Sequence, residues 1–168
     1  MVLRAATDHG AGVRTGPAVR TRVRPPRRLQ EVALRVTMLL ADAAQEVNGK
    51  LYVLGGGWSV TGPQLPPMAL ALKLDVPWGD ANTPHEFQLV LVDADGHPVS
   101  LGEPPSDVRA GGRFEVGRPA GVPEGSDIDF SFAVNIGPLP LTGGRYAWQL
   151  WIDGETRADW QRPFQVRT

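Results

Sequence analysis

The chain contains no cysteine in its 168 residues. That absence excludes disulfides, thiolate metal sites and cysteine nucleophiles together. It fits a reducing compartment, and a cytoplasmic location is expected. Histidine is scarce as well: only His9, His85 and His97 occur, and none has a second His or a Cys at ligand spacing. No zinc site or other metal site is expected, and no cofactor. No apolar run approaches the roughly 18–20 residues that span a bilayer. Arg27-Arg28, the apolar stretch Leu34 to Ala44 and the small-x-small triplet Ala41-Asp42-Ala43 sketch an export signal. Glu31 and Arg35 interrupt its hydrophobic region, and export is not expected.

Catalytic signatures are missing too. There is no Gly-x-Ser-x-Gly elbow, and Ser59 is not followed by a helical pattern. Gly55-Gly56-Gly57 lacks the Lys-Ser/Thr pair and the helix of a phosphate loop, and reads as a sharp bend at a strand end. Asp93, Asp95, Asp127, Asp129, Asp153 and Glu155 could gather at one end of a β-protein. Asp93-Ala94-Asp95-Gly96 nevertheless lacks the third Asp and distal Glu of a calcium loop, and turn chemistry explains Asp before Gly. The chain is therefore expected to be non-enzymatic.

What is abundant is turn formers, with 20 Gly and 16 Pro. The near-neutral net charge of −1 hides an asymmetry. Residues 1–35 hold eight arginines against Asp8 and Glu31, a net +6, whereas residues 36–168 carry nine basic and sixteen acidic side chains, a net −7. Residues 1–35 show no sustained period and are broken by Pro17, Pro25 and Pro26. They read as a disordered tail, or as untranslated sequence ahead of a start at Met38 or Val36. A functional reading is a basic arm touching nucleic acid.

From residue 36 onward the dominant signal is period-2 alternation. Met68–Val76, Glu86–Asp93, Asp127–Asn135 and Arg145–Asp153 each set one apolar face against a wetter one. Asn48-Gly49, Asp95-Gly96 and Asp153-Gly154 are hairpin pairs suited to turns with two positive φ values, which gives Gly96 and Gly154 structural roles. Residues 102–126 are hard to read; only Arg113–Val116 looks like a strand. The expectation is one domain over 36–168: all-β, an antiparallel two-sheet β-sandwich, immunoglobulin-like. Tyr146, at the start of a long strand after Leu139–Gly144, is expected to bond back to that loop as a tyrosine corner. Trp148 is assigned to the core. Trp58 and Trp78, beside Gly and Pro, are expected to plug the open ends.

Several segments together resemble a family of small bacterial, mostly actinobacterial, proteins catalogued as a domain of unknown function. They are Met38–Ala44, Lys50–Trp58, Val76-Pro77-Trp78, Leu91–Gly96 and Asn135–Leu141. The resemblance covers residues 37–168, implies a compact β-protein, and lends no catalytic residue.

The remaining lead is aromatic. Trp151 has the opposite parity to Trp148, beside Arg145 and Gln149, and Trp160 lies across the Asp153-Gly154 turn. These four, Trp151, Gln149, Arg145 and Trp160, form the expected ligand or partner surface. A protein partner is the first expectation and a stacked glycan or other small ligand the second. Nucleic acid through the basic arm is the third, and disfavoured; no membrane contact is expected. The sequence leaves the oligomeric state open.

Overall fold

Alternating side chains and glycine turns do build strands throughout. The computed structural model describes residues 34–168, and the tail reading of residues 1–33 lies outside the described residues. In chain order the strands are β1 (Arg35–Ala41), β2 (Ala43–Val47), β3 (Lys50–Leu54), β4 (Val60–Thr61), β5 (Met68–Val76), β6 (Pro84–Val92), β7 (Ser100–Leu101), β8 (Ser106–Asp107), β9 (Arg109–Glu115), β10 (Ile128–Ile136), β11 (Gly144–Ile152) and β12 (Gln161–Val166). One 3₁₀ turn, Trp78–Asp80, precedes β6. The fold is all-β.

A three-stranded sheet has the order β1-β5-β10, and a five-stranded sheet the order β4-β12-β11-β6-β9. All pairings are antiparallel except β4 with β12, which is parallel. Leu70, Leu72, Leu74 and Val76 of β5 join Leu89 and Leu91 of β6 and Trp148 and Leu150 of β11 in one apolar cluster, so the inner faces of the two sheets share a core. Trp58 and Trp78 are half-buried and pack against that cluster. Leu34 is buried and Arg35 opens β1, so these two residues, counted with the tail from sequence, belong to the domain.

Three further expectations need correction. Asp95-Gly96 is not a two-residue turn with both φ positive: only Gly96 is positive, at 83°. Gly96 N–H bonds Asp93 O and Asp93 N–H bonds His97 O, a type I turn closed by a glycine bulge, whereas Asn48-Gly49 and Asp153-Gly154 are positive at both residues. Residues 102–126 hold more strand than expected, because β9 starts at Arg109 and pairs with β6 as far as Pro84 opposite Glu115. Gly111-Gly112 disguises it. A β-carbon on Gly112 would press on the Phe87 ring, so glycine here serves close approach rather than a turn. Finally, the second face of β5 is wet only in part: Lys73 and Asp75 are half-buried in ion pairs there. Ala69 and Ala71 are buried there, under the β2–β3 hairpin.

The loop before β11 is fixed as expected. The Tyr146 hydroxyl donates to the Thr142 carbonyl at 3.0 Å, and the ring stacks on Phe164. Tyr146→Phe removes one such bond and is expected to lower stability by about 1 kcal/mol with the fold unchanged. A thermal melt with a far-ultraviolet spectrum checks this; an unshifted melting temperature would contradict it.

Candidate functional site

The expected contact surface divides. Side chains of β11 alternate, so Arg145, Gln149 and Trp151 share the outer face of the five-stranded sheet while Tyr146, Trp148, Leu150 and Ile152 point inward. Trp151 is half-buried and stands opposite Gln88 of β6. A shallow depression there is lined by Glu86, Gln88, Trp151, Asp153 and Gly154. Arg145 and Gln149 line a separate one nearer Asp93 and Gln161.

Trp160 is not on this surface: it is 4% exposed, within the core. The reason is register. Ile152 faces Glu155 directly after the turn, but Gln149 faces Gln161. Three residues of β11 thus span six of the returning strand. An offset of three, being odd, turns each later side chain to the other face. Trp160 consequently lies opposite inward-facing Leu150, whose N–H bonds its carbonyl at 2.9 Å, and the Arg157 guanidinium covers its ring.

The acidic residues do not gather. Asp127 and Asp129 join Asp75 in a ladder with Arg35 and Lys73 across the outer face of β1, β5 and β10. Hydrogen bonds from Lys73 and Arg35 outweigh burial and hold the Asp75 carboxyl below its usual range. Asp93, Asp95 and His97 do lie together. The Asp93 carboxylate there accepts the N–H groups of Asp95 and His97, which is the work of a turn.

Asp153 is engaged elsewhere. One carboxylate oxygen accepts the Glu86 N–H at 2.9 Å and the other meets His85 Nδ1 at 2.7 Å. His85 Nε2 faces the Asp80 carbonyl at 3.2 Å, and the ring stacks on Phe114. Both ring nitrogens meet acceptors, which suits the doubly protonated form. Burial opposes that charge, yet Asp153 and Asp80 outweigh it, and the His85 pKa stands above its ordinary 6.5. A pKa raised by folding stabilises the protein below the unfolded value, and the gain is lost as pH rises through the folded value. For Asp153, burial is outweighed by the His85 and Glu86 hydrogen bonds, and its pKa is lowered, so its gain is lost only as pH falls below 3.8. The melting temperature is therefore expected to decline from pH 6.5 upward. His85→Gln should flatten that decline; an equal slope in the variant would contradict the assignment.

A surface that sequence reasoning passed over is the β2–β3 hairpin. Its turn, Asn48-Gly49, places Ala43, Gln45 and Val47 opposite Leu54, Tyr52 and Lys50 on one face, and Ala44 and Glu46 opposite Val53 and Leu51 on the other. The second face lies on the three-stranded sheet, where Ala44, Ala69 and Ala71 are buried against Leu39 and Leu51. Methyl side chains let the two layers approach closely. Asn135 of β10 clips the hairpin down: its Nδ2–H donates to Ala44 O at 2.9 Å and its Oδ1 accepts Ala44 N–H at 3.4 Å. At the far end the chain turns back through Gly55-Gly56-Gly57. Gly57 N–H bonds Leu40 O at 2.7 Å, and Gly55 has φ 59°, where a β-carbon would strike the Asp42 carboxylate. The triplet is thus the expected bend at a strand end.

The outward face is left apolar. On it Leu54 is 70% exposed, Tyr52 58% and Val47 44%, and Val53 of the opposite face is 39% exposed. With Val60 these are the large apolar side chains that stand exposed among the described residues. Ala43, Ala44, Gln45, Tyr52, Val53 and Leu54 line a shallow groove along it. The sequence signal was available in Ala69 and Ala71, whose small size at wet-parity positions marks where a second layer sits.

No helix among the described residues is long and apolar enough to cross a membrane. No curated protein and no solved structure matches the chain. One family does, over residues 36–167, and the resemblance read from the sequence holds for nearly its whole extent. With that match spanning both sheets and the hairpin, the chain belongs to the family described as a family of unknown function, DUF6941.

Proposed function

We propose that the domain is a non-enzymatic interaction module that binds a protein partner through the outward face of the β2–β3 hairpin. The observation that carries this reading is the concentration of exposed large apolar side chains there: Val47, Tyr52 and Leu54 share that face of one hairpin. Apolar groups grouped in this way on a folded surface mark contact sites, whereas isolated ones do not. The net charge of −7 over residues 36–168 works against an anionic membrane or nucleic acid as the partner and leaves protein as the better fit. The basic-arm reading rests on residues outside the described ones. Absence of cysteine supports a cytoplasmic setting.

The scaffold reads best as an immunoglobulin-like sandwich. Supporting this are the A-B-E order of β1-β5-β10 and the G-F-C order of β12-β11-β6, both running through the shared core. The Tyr146 bond at the entry to β11 adds to it.

The test is a capture experiment from native lysate with the wild-type chain and a Tyr52→Ser/Leu54→Arg variant. Both positions are exposed, so the variant should melt within about 0.5 kcal/mol of wild type and lose the captured protein. Equal recovery of the same protein by both would overturn the reading. A second reading is favoured by the depression holding Trp151 with Glu86 and Gln88, an aromatic ring beside hydrogen-bonding groups. It predicts a glycan that quenches tryptophan fluorescence, with the response lost in Trp151→Ala.

A further inference from the structure

Strand β10 is nine residues long and, among the described residues, has β5 as its neighbour on one side and no strand on the other. Burial records that difference. On β5 the inward side chains Leu70, Leu72, Leu74 and Val76 are fully buried, whereas Phe130, Phe132 and Val134, facing the same core from β10, are only half-buried. The edge also lacks the usual guards. It holds no proline, no lysine or arginine and no glycine, and its one charge, Asp129, is paired with Lys73. The edge strand β9, in contrast, carries Arg109, Arg113 and two glycines. A long unguarded edge is a template for another strand.

We infer that β10 pairs antiparallel with β10 of a second copy, about a two-fold axis at Phe132, and joins the two three-stranded sheets into one. The sequence of the strand is suited to this register. Centred on Phe132, Ile128 meets Ile136 and Phe130 meets Val134 on the inner face, continuing the apolar layer across the junction. On the outer face Asp129 meets neutral Asn135 and Ser131 meets Ala133, so no like charges stand opposite each other. The contact is isologous and closes at two copies, which stops the edge from recruiting further strands. It is separate from the hairpin surface and does not depend on it.

The full chain has no cysteine, so single cysteines report the interface directly. Ser131→Cys and Leu54→Cys variants would be compared by sedimentation across the micromolar range and by a short bis-maleimide crosslinker. The expected result is a dimer mass with crosslinking through Ser131→Cys and none through Leu54→Cys. Ser131→Glu adds a carboxylate that Lys73 can pair within its own chain, so the fold is kept. Across the axis it brings two like charges to diagonal positions, and dimerisation should weaken about tenfold at unchanged melting temperature. A monomer at every concentration, or a dimer crosslinked at Leu54→Cys or at neither site, would overturn the inference.

Discussion

Trp148→Ala is expected to destabilise the domain by about 3–5 kcal/mol, the largest effect of any single truncation in the core. Trp148 is 1% exposed and is the bulkiest fully buried side chain, at the centre of β11 between β6 and β12. Its neighbours belong to both sheets, so a cavity there cannot be closed by moving one strand. The melting temperature should fall by roughly 10–20 °C. One feature separates this position from an ordinary core residue: its indole Nε1–H finds no protein acceptor. An unpaired buried donor is itself unfavourable, so Trp148→Phe removes a penalty while keeping much of the volume, and should cost about 1 kcal/mol or less. Calorimetry on both variants checks the pair. A loss in Trp148→Phe as large as that in Trp148→Ala would show that the indole N–H is hydrogen-bonded and would contradict the assignment.

Asn135→Ala is expected to cost about 2 kcal/mol and to act on the hairpin rather than on the core. A two-stranded hairpin is marginal alone. Ala44 turns its backbone N–H and C=O away from β3, and the Asn135 amide serves both, as a third strand would. Loss of the side chain leaves those groups without protein partners beneath a buried residue. Hydrogen exchange should quicken across residues 43–54 while β5 and β11 keep their protection. Asn135→Asp keeps the acceptor but sets a carboxylate against the Ala44 carbonyl, and is expected to be no better than alanine. Uniformly faster exchange throughout the domain would mean that the hairpin unfolds only together with the sheets.

Most of the strand pattern was legible, and the failures share a cause. Alternation along Arg145–Asp153 placed Trp148 and Trp151 on opposite faces correctly, because period 2 holds within one strand. It placed Trp160 wrongly, because parity carried across a connection depends on its length, and residues 155–160 add an odd number to the return. Gly111-Gly112 hid half of β9, since composition cannot tell a glycine that makes a turn from one that admits the Phe87 ring. Tyr146 was legible from its loop, and its bond to Thr142 is local. The hairpin surface was not: Asn48-Gly49 announced the turn, but which face of β2–β3 meets the protein is set by Asn135, 91 residues away along the chain from Ala44. Of the residues expected to make contact, Arg145, Gln149 and Trp151 do share one face; the apolar groups left uncovered lie on the hairpin instead.

The central claim is that the outward hairpin face is the working surface. Hydrogen exchange on the full chain, free and bound to the protein it captures, tests this most directly. The account predicts slowed exchange across Tyr52–Leu54 and Ala43–Val47 on binding, with residues 145–151 unchanged. Protection confined to residues 145–151, with the hairpin exchanging as in the free chain, would contradict it and move the site to the face around Trp151.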